Sequence, residues 1–409
     1  MAEIQPFRGV FYNTQRVNPG DVLTQPYDKI TPEMRERYLK LSPYNLVQIE
    51  LGKEQPGDTE TNNKYTRARD YYRRWVKEGV LRRSANPALY YLEQSFASPD
   101  GSGKRTRRGL IAAVRLHRWG EGVVLPHEHT LSKPKADRIS LLREVGSQQG
   151  QIFMLHPQPI PKLGKLGAPL YELVDDYQVI TKVYELTDPT TIHAIQAAIA
   201  PQKLYIADGH HRYETSLAFR DEAGTEASQY VMATLVDMND PGLVVLPTHR
   251  TVGNLTGFDR KSFAGKLEKT FEIIPQSSPK VRAHEIGMFD GGGYSKLRPE
   301  NLDLLEPLFA SKPPLWDTLD VAILHVAILE AILGIDEQRL RDEANVTYWR
   351  EPEKAVAEVK AGRAQLAFFL APTPVSDVKA IADAHSRMPQ KSTDFFPKLL
   401  SGLVIYEVR

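Results

Sequence analysis

The sequence lacks cysteine, a surplus of either charge and a long uninterrupted apolar run. The absence of cysteine among its 409 residues excludes disulfides, thiolate zinc sites, iron–sulfur clusters and thiol catalysis. Lysine and arginine number 52 against 51 aspartate and glutamate, so charge alone favours neither nucleic acid nor an anionic membrane as a partner. The side chains that remain as the main candidates for chemistry are therefore histidine, aspartate, glutamate and arginine.

The most apolar segment, 319–335, is interrupted by Asp320, His325 and Glu330. It is also shorter than the roughly 20 apolar residues that cross a bilayer. We therefore predict a buried core helix there and no membrane partner. The first residues contain no basic stretch leading into an apolar run, so we expect no signal peptide and a cytoplasmic protein.

The length predicts two domains or one large one, of mixed α/β (α+β) class. We place the boundary at the glycine-flanked segment 253–257, which gives domains 1–253 and 254–409. The first is expected to carry a β-rich insertion at about 88–130, built on a hairpin around the glycine- and serine-rich loop 98–103. Four basic residues on this hairpin are expected to form a solvated charged arm: Lys104, Arg105, Arg107 and Arg108.

Local patterns predict several other elements. Thr31 followed by proline is typical of a helix start, and 62–78 is amphipathic with helical spacing. The alternation in 47–51 predicts a half-buried strand. A strand is expected at 203–207 and a helix at 213–223.

The segment between those last two elements is predicted to bind phosphate. The first N–H groups of a helix have no partner within the helix, and its dipole attracts anions. Gly209 would let the backbone approach a ligand, Arg212 offers a planar fork for phosphate oxygens, and His210 and His211 add donors. Asp208 would either ligate Mg²⁺ or hold Arg212 or a histidine. The alternative is a helix cap with solvated first-turn residues.

A second polar segment contains His127, Glu128 and His129. In extended backbone the two histidines share a face, which suits a metal site completed by Asp208 or by His210. A second alternative is a structural loop whose histidines bind carboxylates. Under the phosphate hypothesis Glu128 is a general base or Mg²⁺ ligand, and Arg138 closes on a substrate anion.

Motifs along the chain resemble the domain-of-unknown-function 1015 family. They are Pro6–Gly9, Gln25–Asp28, Pro43–Asn45, Pro126–Thr130 with Lys133, Lys135, Asp137 and Arg138, Tyr205–Glu222, Leu246–Arg250 and Met388–Lys398. The family implies no reaction. Its motifs add His249 and Arg250 as a second anion contact and Lys391 as a substrate-facing lysine.

Asp208–Arg212 is also similar to the phosphate-binding box of ParB/sulfiredoxin-like proteins, and most of all to that of free-serine kinases. This resemblance implies a ParB/sulfiredoxin-like nucleotide-binding core with a β-hairpin insertion and a C-terminal α/β region. It also implies ATP, ADP or CTP with Mg²⁺, and an acidic base that Asp28 or Glu128 could match.

We therefore hypothesise a nucleotide-dependent phosphotransferase acting on a small hydroxylated metabolite, with serine the first candidate. The alternatives are a metal-dependent hydrolase that uses the histidines and a ParB-like regulatory protein without catalysis. A nucleotide and a small molecule are the expected partners, nucleic acid is not, and a homodimer is left open. The candidate site residues are Asp28, His127, Glu128, Arg138, Asp208, Gly209, His210, His211, Arg212, His249, Arg250 and Lys391.

Overall fold

The computed structural model describes residues 1–128, 132–300, 302–342 and 344–409. Its contacts form two compact units, described separately below. Unit 1 comprises Met1–Pro126, Thr130–Val244 and Pro397–Arg409, and unit 2 comprises His127–His129 and Val245–Phe396. The predicted domains 1–253 and 254–409 stay a prediction, because compactness does not establish independent folding.

Unit 1 contains most of the strands. They are β1 (Ile4–Gln5), β2 (Val10–Tyr12), β3 (Leu81–Arg83), β4 (Leu89–Ala97), β5 (Lys104–Arg115), β6 (Val124–Leu125), β7 (Ser147–Gln148), β8 (Ile152–His156), β9 (Tyr171–Val174), β10 (Ile180–Leu186), β11 (Leu204–Asp208) and β12 (Tyr230–Asp237). One further strand is contributed by the C-terminal segment, Tyr406–Glu407, and it pairs with β7.

The main sheet of unit 1 has nine strands in the order β6-β11-β8-β12-β5-β4-β10-β9, with β1 added beside β5. The pairs β6–β11 and β8–β12 are parallel, while β8–β11 is antiparallel. Strand β11 is thus covered on both edges and reads as a short, almost wholly buried run. A register shift against β8 between Ile206 and Asp208 lets the strand end irregularly at Asp208.

The helices of unit 1 are α1 (Pro19–Val22), α2 (Pro32–Leu41), α3 (Val47–Glu50), α4 (Lys64–Lys77), α5 (Ser132–Val145), α6 (Pro189–Ile199) and α7 (His210–Ala223). Thr31 caps α2 as predicted, its side chain accepting from the Met34 amide at 3.2 Å. The core against the sheet includes Ile195 of α6, Tyr213 of α7 and Ile206 of β11.

The strand predicted at 47–51 is wrong, because this segment forms the short helix α3. The Asn45 side chain accepts a hydrogen bond from the Val47 amide at 3.0 Å and starts a helical turn. Val47, Ile49 and Glu50 are all buried, so the alternation does not mark one buried face. Tertiary packing overrides the local pattern here.

The predicted hairpin is confirmed by the antiparallel pair β4–β5. The solvated arm is only partly correct. Lys104 and Arg108 are exposed, but Arg107 is 1% exposed and lies in the interior. Along a strand successive side chains alternate between faces, so a run of basic residues cannot all face solvent when one face is covered.

Unit 2 is likewise mixed α/β. Its strands are β13 (Val244–Leu246, beginning at the last residue of unit 1), β14 (His249–Val252), β15 (Phe271–Gln276), β16 (Ile286–Phe289), β17 (Tyr294–Pro299), β18 (Val346–Trp349), β19 (Leu366–Phe369) and β20 (Asp394–Phe396). Six form a sheet in the order β15-β17-β16-β19-β14-β18, and β13 pairs with β20. Residues 290–293 form the turn of the antiparallel hairpin β16–β17.

The helices of unit 2 are α8 (Arg260–Leu267), α9 (Leu302–Phe309), α10 (Asp320–Ile323), α11 (Glu337–Arg341), α12 (Pro352–Lys360) and α13 (Val375–Asp383). The predicted core helix is α10 continued by the π-helical segment Leu324–Glu330, whose residues 324–329 are buried. Within the described residues, no helix combines the length and the apolar character needed to cross a membrane.

Candidate functional site

The DGHHR box, Asp208–Arg212, occupies the turn from β11 to α7, as the sequence predicts. Gly209 has φ 94° and ψ 25°, a left-handed conformation that strains other residues. A Cβ at this position would meet Nη2 of Arg212 at 3.0 Å and Cδ1 of Ile152 at 3.2 Å. Glycine is therefore needed both for the backbone angle and for the space that Arg212 occupies.

The N-terminus of α7 is not capped by the residue before it, since glycine has no side chain to accept from the helix amides. The predicted cap at Asp208 is thus one residue too early. His210, the first helical residue, is 5% exposed, and Tyr213 of the same turn is fully buried. The helix start is fixed by packing while its positive dipole end lies at the box.

Arg212 is held in place from two directions. Its Nη1 donates to the backbone oxygen of Gln151, directly before β8, at 2.5 Å. Its Nη2 lies 3.6 Å from Oδ2 of Asp208, and its side chain is 16% exposed. The orientation of the guanidinium is thus fixed by contacts within unit 1.

Asp208 is surrounded by cations. Nζ of Lys398 lies 3.9 Å from its Oδ2, on the side chain of a lysine that is 10% exposed. Burial alone would raise the pKa of Asp208, but the charges of Lys398, Arg212, Lys29 and His210 outweigh burial and hold that pKa well below its usual range. Asp208 is therefore ionised at neutral pH, as the counter-ion of a cationic cluster.

Lys398 lies beside the DGHHR box because backbone hydrogen bonds hold the C-terminal segment, Pro397–Arg409, within unit 1. The amide of Ser401 donates to the oxygen of Thr24 at 2.9 Å, and that of Gly402 donates to Gln149 at 2.8 Å. A substrate-facing lysine was expected from the motif Met388–Lys398, and Lys391 was the residue chosen. The role of Lys391 stays a prediction, while Lys398, at the end of the same motif, lies beside the box.

Asp28 lies in the short 3-10 turn Tyr27–Lys29 of the same unit. Its side chain is exposed, whereas the neighbouring Lys29 acts electrostatically on Asp208. The negative charge of Asp28 is also felt by Tyr27 and Glu50, whose pKa values are raised by burial first and by Asp28 in addition. The structure thus brings Asp28 into the electrostatic surroundings of the box.

Arg138 is buried and already paired. Its Nη1 lies 3.3 Å from Oε2 of Glu50, its Nε donates to Asp137 at 2.9 Å, and its guanidinium lies 4.4 Å from the ring centre of Tyr27. Two carboxylates, those of Glu50 and Asp137, already balance the charge of Arg138. The predicted contact of Arg138 with a substrate anion stays a prediction. Glu50 was not predicted, because its segment was assigned to a strand.

Five of the candidate residues belong to unit 2: His127, Glu128, His249, Arg250 and Lys391. His127 is fully buried, with Nε2 3.0 Å from Oγ1 of Thr393 and 3.9 Å from Oε1 of Glu128. Its backbone oxygen accepts from the Met388 amide at 2.7 Å. His127 therefore contacts the C-terminal motif Met388–Lys398 within this unit.

Arg250 is buried in unit 2 and is bonded to the backbone of two neighbouring segments. It is 1% exposed, donates to the backbone oxygen of Thr248, and donates from Nη2 to that of Lys391 at 2.9 Å. The adjacent His249 is also buried, and burial, followed by the charge of Arg250, lowers its pKa to about 4. The Lys391 side chain is exposed. Substrate contacts by these three residues stay predictions.

No group of three or more histidine, aspartate or glutamate side chains is arranged to hold a metal ion in the described part of the chain. His129, half of the predicted histidine pair, lies outside the described residues. The role of Asp208 as a Mg²⁺ ligand stays a prediction, and the cations around it do not favour a second positive ion. Its surroundings fit the other predicted role, that of holding Arg212.

Comparison with known proteins identifies the family. A sequence model of "Protein of unknown function (DUF1015)" matches residues 4–322. The chain belongs to this family. The resemblance noted from the motifs is thereby confirmed, although Met388–Lys398 lies beyond the matched residues. No curated protein matches the sequence.

Three solved structures overlap the chain weakly. A conserved hypothetical protein from Pyrococcus furiosus has TM-score 0.34 and 14% identity, covering 68% of this chain and 92% of its own. A free serine kinase in complex with AMP has TM-score 0.35 and 13% identity, with 68% and 88% covered. SbnI from Staphylococcus aureus, truncated at its C-terminus, has TM-score 0.35 and 9% identity, with 72% and 87% covered. Values this low establish no common activity, and a ParB/sulfiredoxin-like core stays a prediction.

Proposed function

We propose that unit 1 binds nucleotide phosphates at the DGHHR box and transfers a phosphoryl group to a hydroxyl group of a small metabolite. The observation that carries this proposal is the charge at the box. The charges of Lys398, Arg212 and Lys29 all act on the carboxylate of Asp208 there, beside the positive end of α7. A multiply charged phosphate would be attracted both to these cations and to the start of the helix.

The cluster suits phosphoryl transfer because that reaction depends on positioning and on charge stabilisation. Arg212 is anchored on the Gln151 carbonyl, so its fork is oriented in advance. Gly209 brings backbone close to the ligand without a side chain in the way. Lys398 adds a point charge beside Asp208 that can attract the phosphate oxygens.

Asp28 is our candidate for the general base. Asp208 is held by cations and Glu50 is held by Arg138, which leaves Asp28 as the exposed carboxylate on the turn beside them. Asp28 would take the hydroxyl proton of the acceptor as the new O–P bond forms. The bond from phosphorus to the bridging oxygen breaks, and that oxygen leaves with the nucleotide next to the cations of the box.

Free serine is the first acceptor to test, with ATP, ADP or CTP as donor. Glu128 stays the alternative base. We assign no metal ligand among the residues of the box, because the carboxylate of Asp208 pairs with Arg212 and Lys398. Mg²⁺ could still arrive with the nucleotide phosphates, so the test is run with and without it.

The test is a thermal-shift screen of ATP, ADP and CTP against wild type and Arg212→Ala, each with and without Mg²⁺. We expect a nucleotide to raise the melting temperature of the wild type and Arg212→Ala to abolish that rise. Arg118→Ala is the matched control, because Arg118 is exposed and pairs with Asp221. Mass spectrometry of serine incubations would then detect a phosphorylated product. Failure of all three nucleotides to shift the wild type would refute the proposal.

A further inference from the structure

Arg107 of β5 is a buried arginine with an unusual set of contacts. Its side chain is 1% exposed and its guanidinium lies 4.7 Å from the ring centre of Phe153 on β8. Burial lowers its pKa to about 9, while the charges of Asp240 and Asp208 act in the opposite direction. The arginine therefore stays charged at neutral pH, inside unit 1 and within the field of the DGHHR box.

The hydrogen bonds of Arg107 lead to the C-terminal segment. Its Nη2 donates to the backbone oxygen of Pro397 and to Oε1 of Gln94, both at 2.5 Å. Nε2 of Gln94 in turn donates to the backbone oxygen of Lys398 at 3.2 Å. Two side chains of the β4–β5 hairpin thus bind two consecutive carbonyls, those of Pro397 and Lys398.

This arrangement fixes the backbone from which the Lys398 side chain extends. A lysine side chain loses as much as about 2 kcal/mol of conformational entropy when it is ordered, so an unanchored lysine would sample many positions. With both carbonyls held, its Nζ lies 3.9 Å from Oδ2 of Asp208. Arg107 and Gln94 therefore act on the box through Lys398.

Packing alone does not account for an arginine here. Nε and Nη1 of Arg107 are buried without a hydrogen-bond partner among the described residues. Buried donors left unpaired are destabilising, and an apolar side chain against Phe153 would avoid that cost. The hydrogen bonds that Arg107 does make go to Pro397, directly before Lys398, and to Gln94, which itself binds the Lys398 carbonyl.

We propose that Arg107 is a positioning residue that sets Lys398 for an anion bound at the DGHHR box. This inference rests on the proposed function in taking that anion to be a nucleotide phosphate. Arg107 belongs to the hairpin that sequence reasoning assigned to a charged arm. Its role here is structural support of a binding lysine.

The test is a double-mutant cycle with Arg107→Met, Lys398→Met and the double variant, using ADP affinity measured by calorimetry. We expect each single variant to weaken ADP binding about tenfold, as loss of a charged contact does, and the double variant to be no weaker than Lys398→Met. Arg107→Lys, which can still donate to Pro397, should recover part of the affinity. Arg108→Met is the control, since Arg108 is 48% exposed on the same strand.

A second readout needs no ligand: the rate at which an amine-reactive reagent modifies Lys398, followed by peptide mass spectrometry. Arg107→Met should raise this rate and Arg108→Met should not. Gln94→Met, which removes only the bond to the Lys398 carbonyl, should raise it too and serves if Arg107→Met does not fold. Unchanged Lys398 reactivity in every folded variant, or additive losses in the cycle, would overturn the inference. If the wild type binds none of ATP, ADP and CTP, the proposed function fails, and Lys398 reactivity still decides whether Arg107 positions Lys398.

Discussion

Lys398 and Asp208 form an ion pair, with Nζ 3.9 Å from Oδ2, between the C-terminal segment and the end of β11. The side chains are 10% and 28% exposed, so water screens the pair less than it screens a surface pair. Arg212 completes the arrangement from the first turn of α7. Two distant parts of the sequence thereby build one cationic cluster around one carboxylate.

This cluster predicts an acid-dependent loss of stability. The folded pKa of Asp208 lies below its ordinary value of 3.8, so ionised Asp208 stabilises the fold fully above that value. The contribution is lost as the pH falls below 3.8 and through the folded pKa. At pH 6 we expect Asp208→Asn to unfold with a free energy lower by about 1–3 kcal/mol, and the difference should shrink toward pH 3. Urea denaturation across this range measures it, and a difference that does not change with pH would contradict the assignment.

Alanine substitutions at the two glycines that flank α7 would distinguish the effect of backbone strain on stability from an effect on nucleotide binding. Gly209 has φ 94° and Gly224 has φ 63°, so alanine at either should destabilise the fold by about 1 kcal/mol. A Cβ at Gly209 would also meet Nη2 of Arg212 at 3.0 Å, whereas one at Gly224 has nothing within 4 Å. We therefore expect only Gly209→Ala to lower nucleotide affinity. Thermal denaturation and calorimetry of both variants make the comparison, and equal affinities would remove the argument for close backbone approach.

Much of unit 1 near the box could be predicted from sequence, because the signals there are local. The buried run before Asp208, the glycine after it and the helix that follows are each short-range patterns. The same is true of the hairpin 89–115 and of the proline-led helix α2. Family membership was also predictable, since its motifs are spread along the chain.

The contacts that could not be predicted from the sequence are those between residues far apart along the chain. Lys398 lies beside the box because strand and loop hydrogen bonds hold the C-terminal segment within unit 1. Glu50 was missed because a hydrogen bond from the Val47 amide to the Asn45 side chain starts a helical turn in an alternating segment. Arg107 was predicted to be solvated together with the basic residues around it. Which of them faces inward depends on the alternation of side chains along β5, which the sequence of this segment does not reveal.

The choice of general base gives a kinetic prediction. If Asp28 accepts the hydroxyl proton, Asp28→Asn should reduce kcat for serine phosphorylation by about 100-fold or more and leave nucleotide affinity unchanged. Glu36→Gln, a surface carboxylate on α2, is the control for added positive charge. Steady-state kinetics and nucleotide titration of Asp28→Asn and Glu128→Gln decide between the candidates. A loss confined to Glu128→Gln would make Glu128 the base.

His249 gives a pH prediction for unit 2. Its ring is buried, packs 5.5 Å from Phe369 centre to centre, and accepts a hydrogen bond at Nδ1 from the Leu370 amide at 3.4 Å. Because burial lowers its folded pKa from 6.5 to about 4, the unfolded chain binds a proton first as the pH falls between these values. Wild-type unit 2 should therefore lose about 3 kcal/mol of stability relative to His249→Gln between pH 6.5 and pH 4. Hydrogen exchange of the β14 and β18 amides, corrected for intrinsic rates, measures this, with the exposed His193→Gln as control. Parallel pH profiles for wild type and His249→Gln would show that His249 does not titrate as its burial requires.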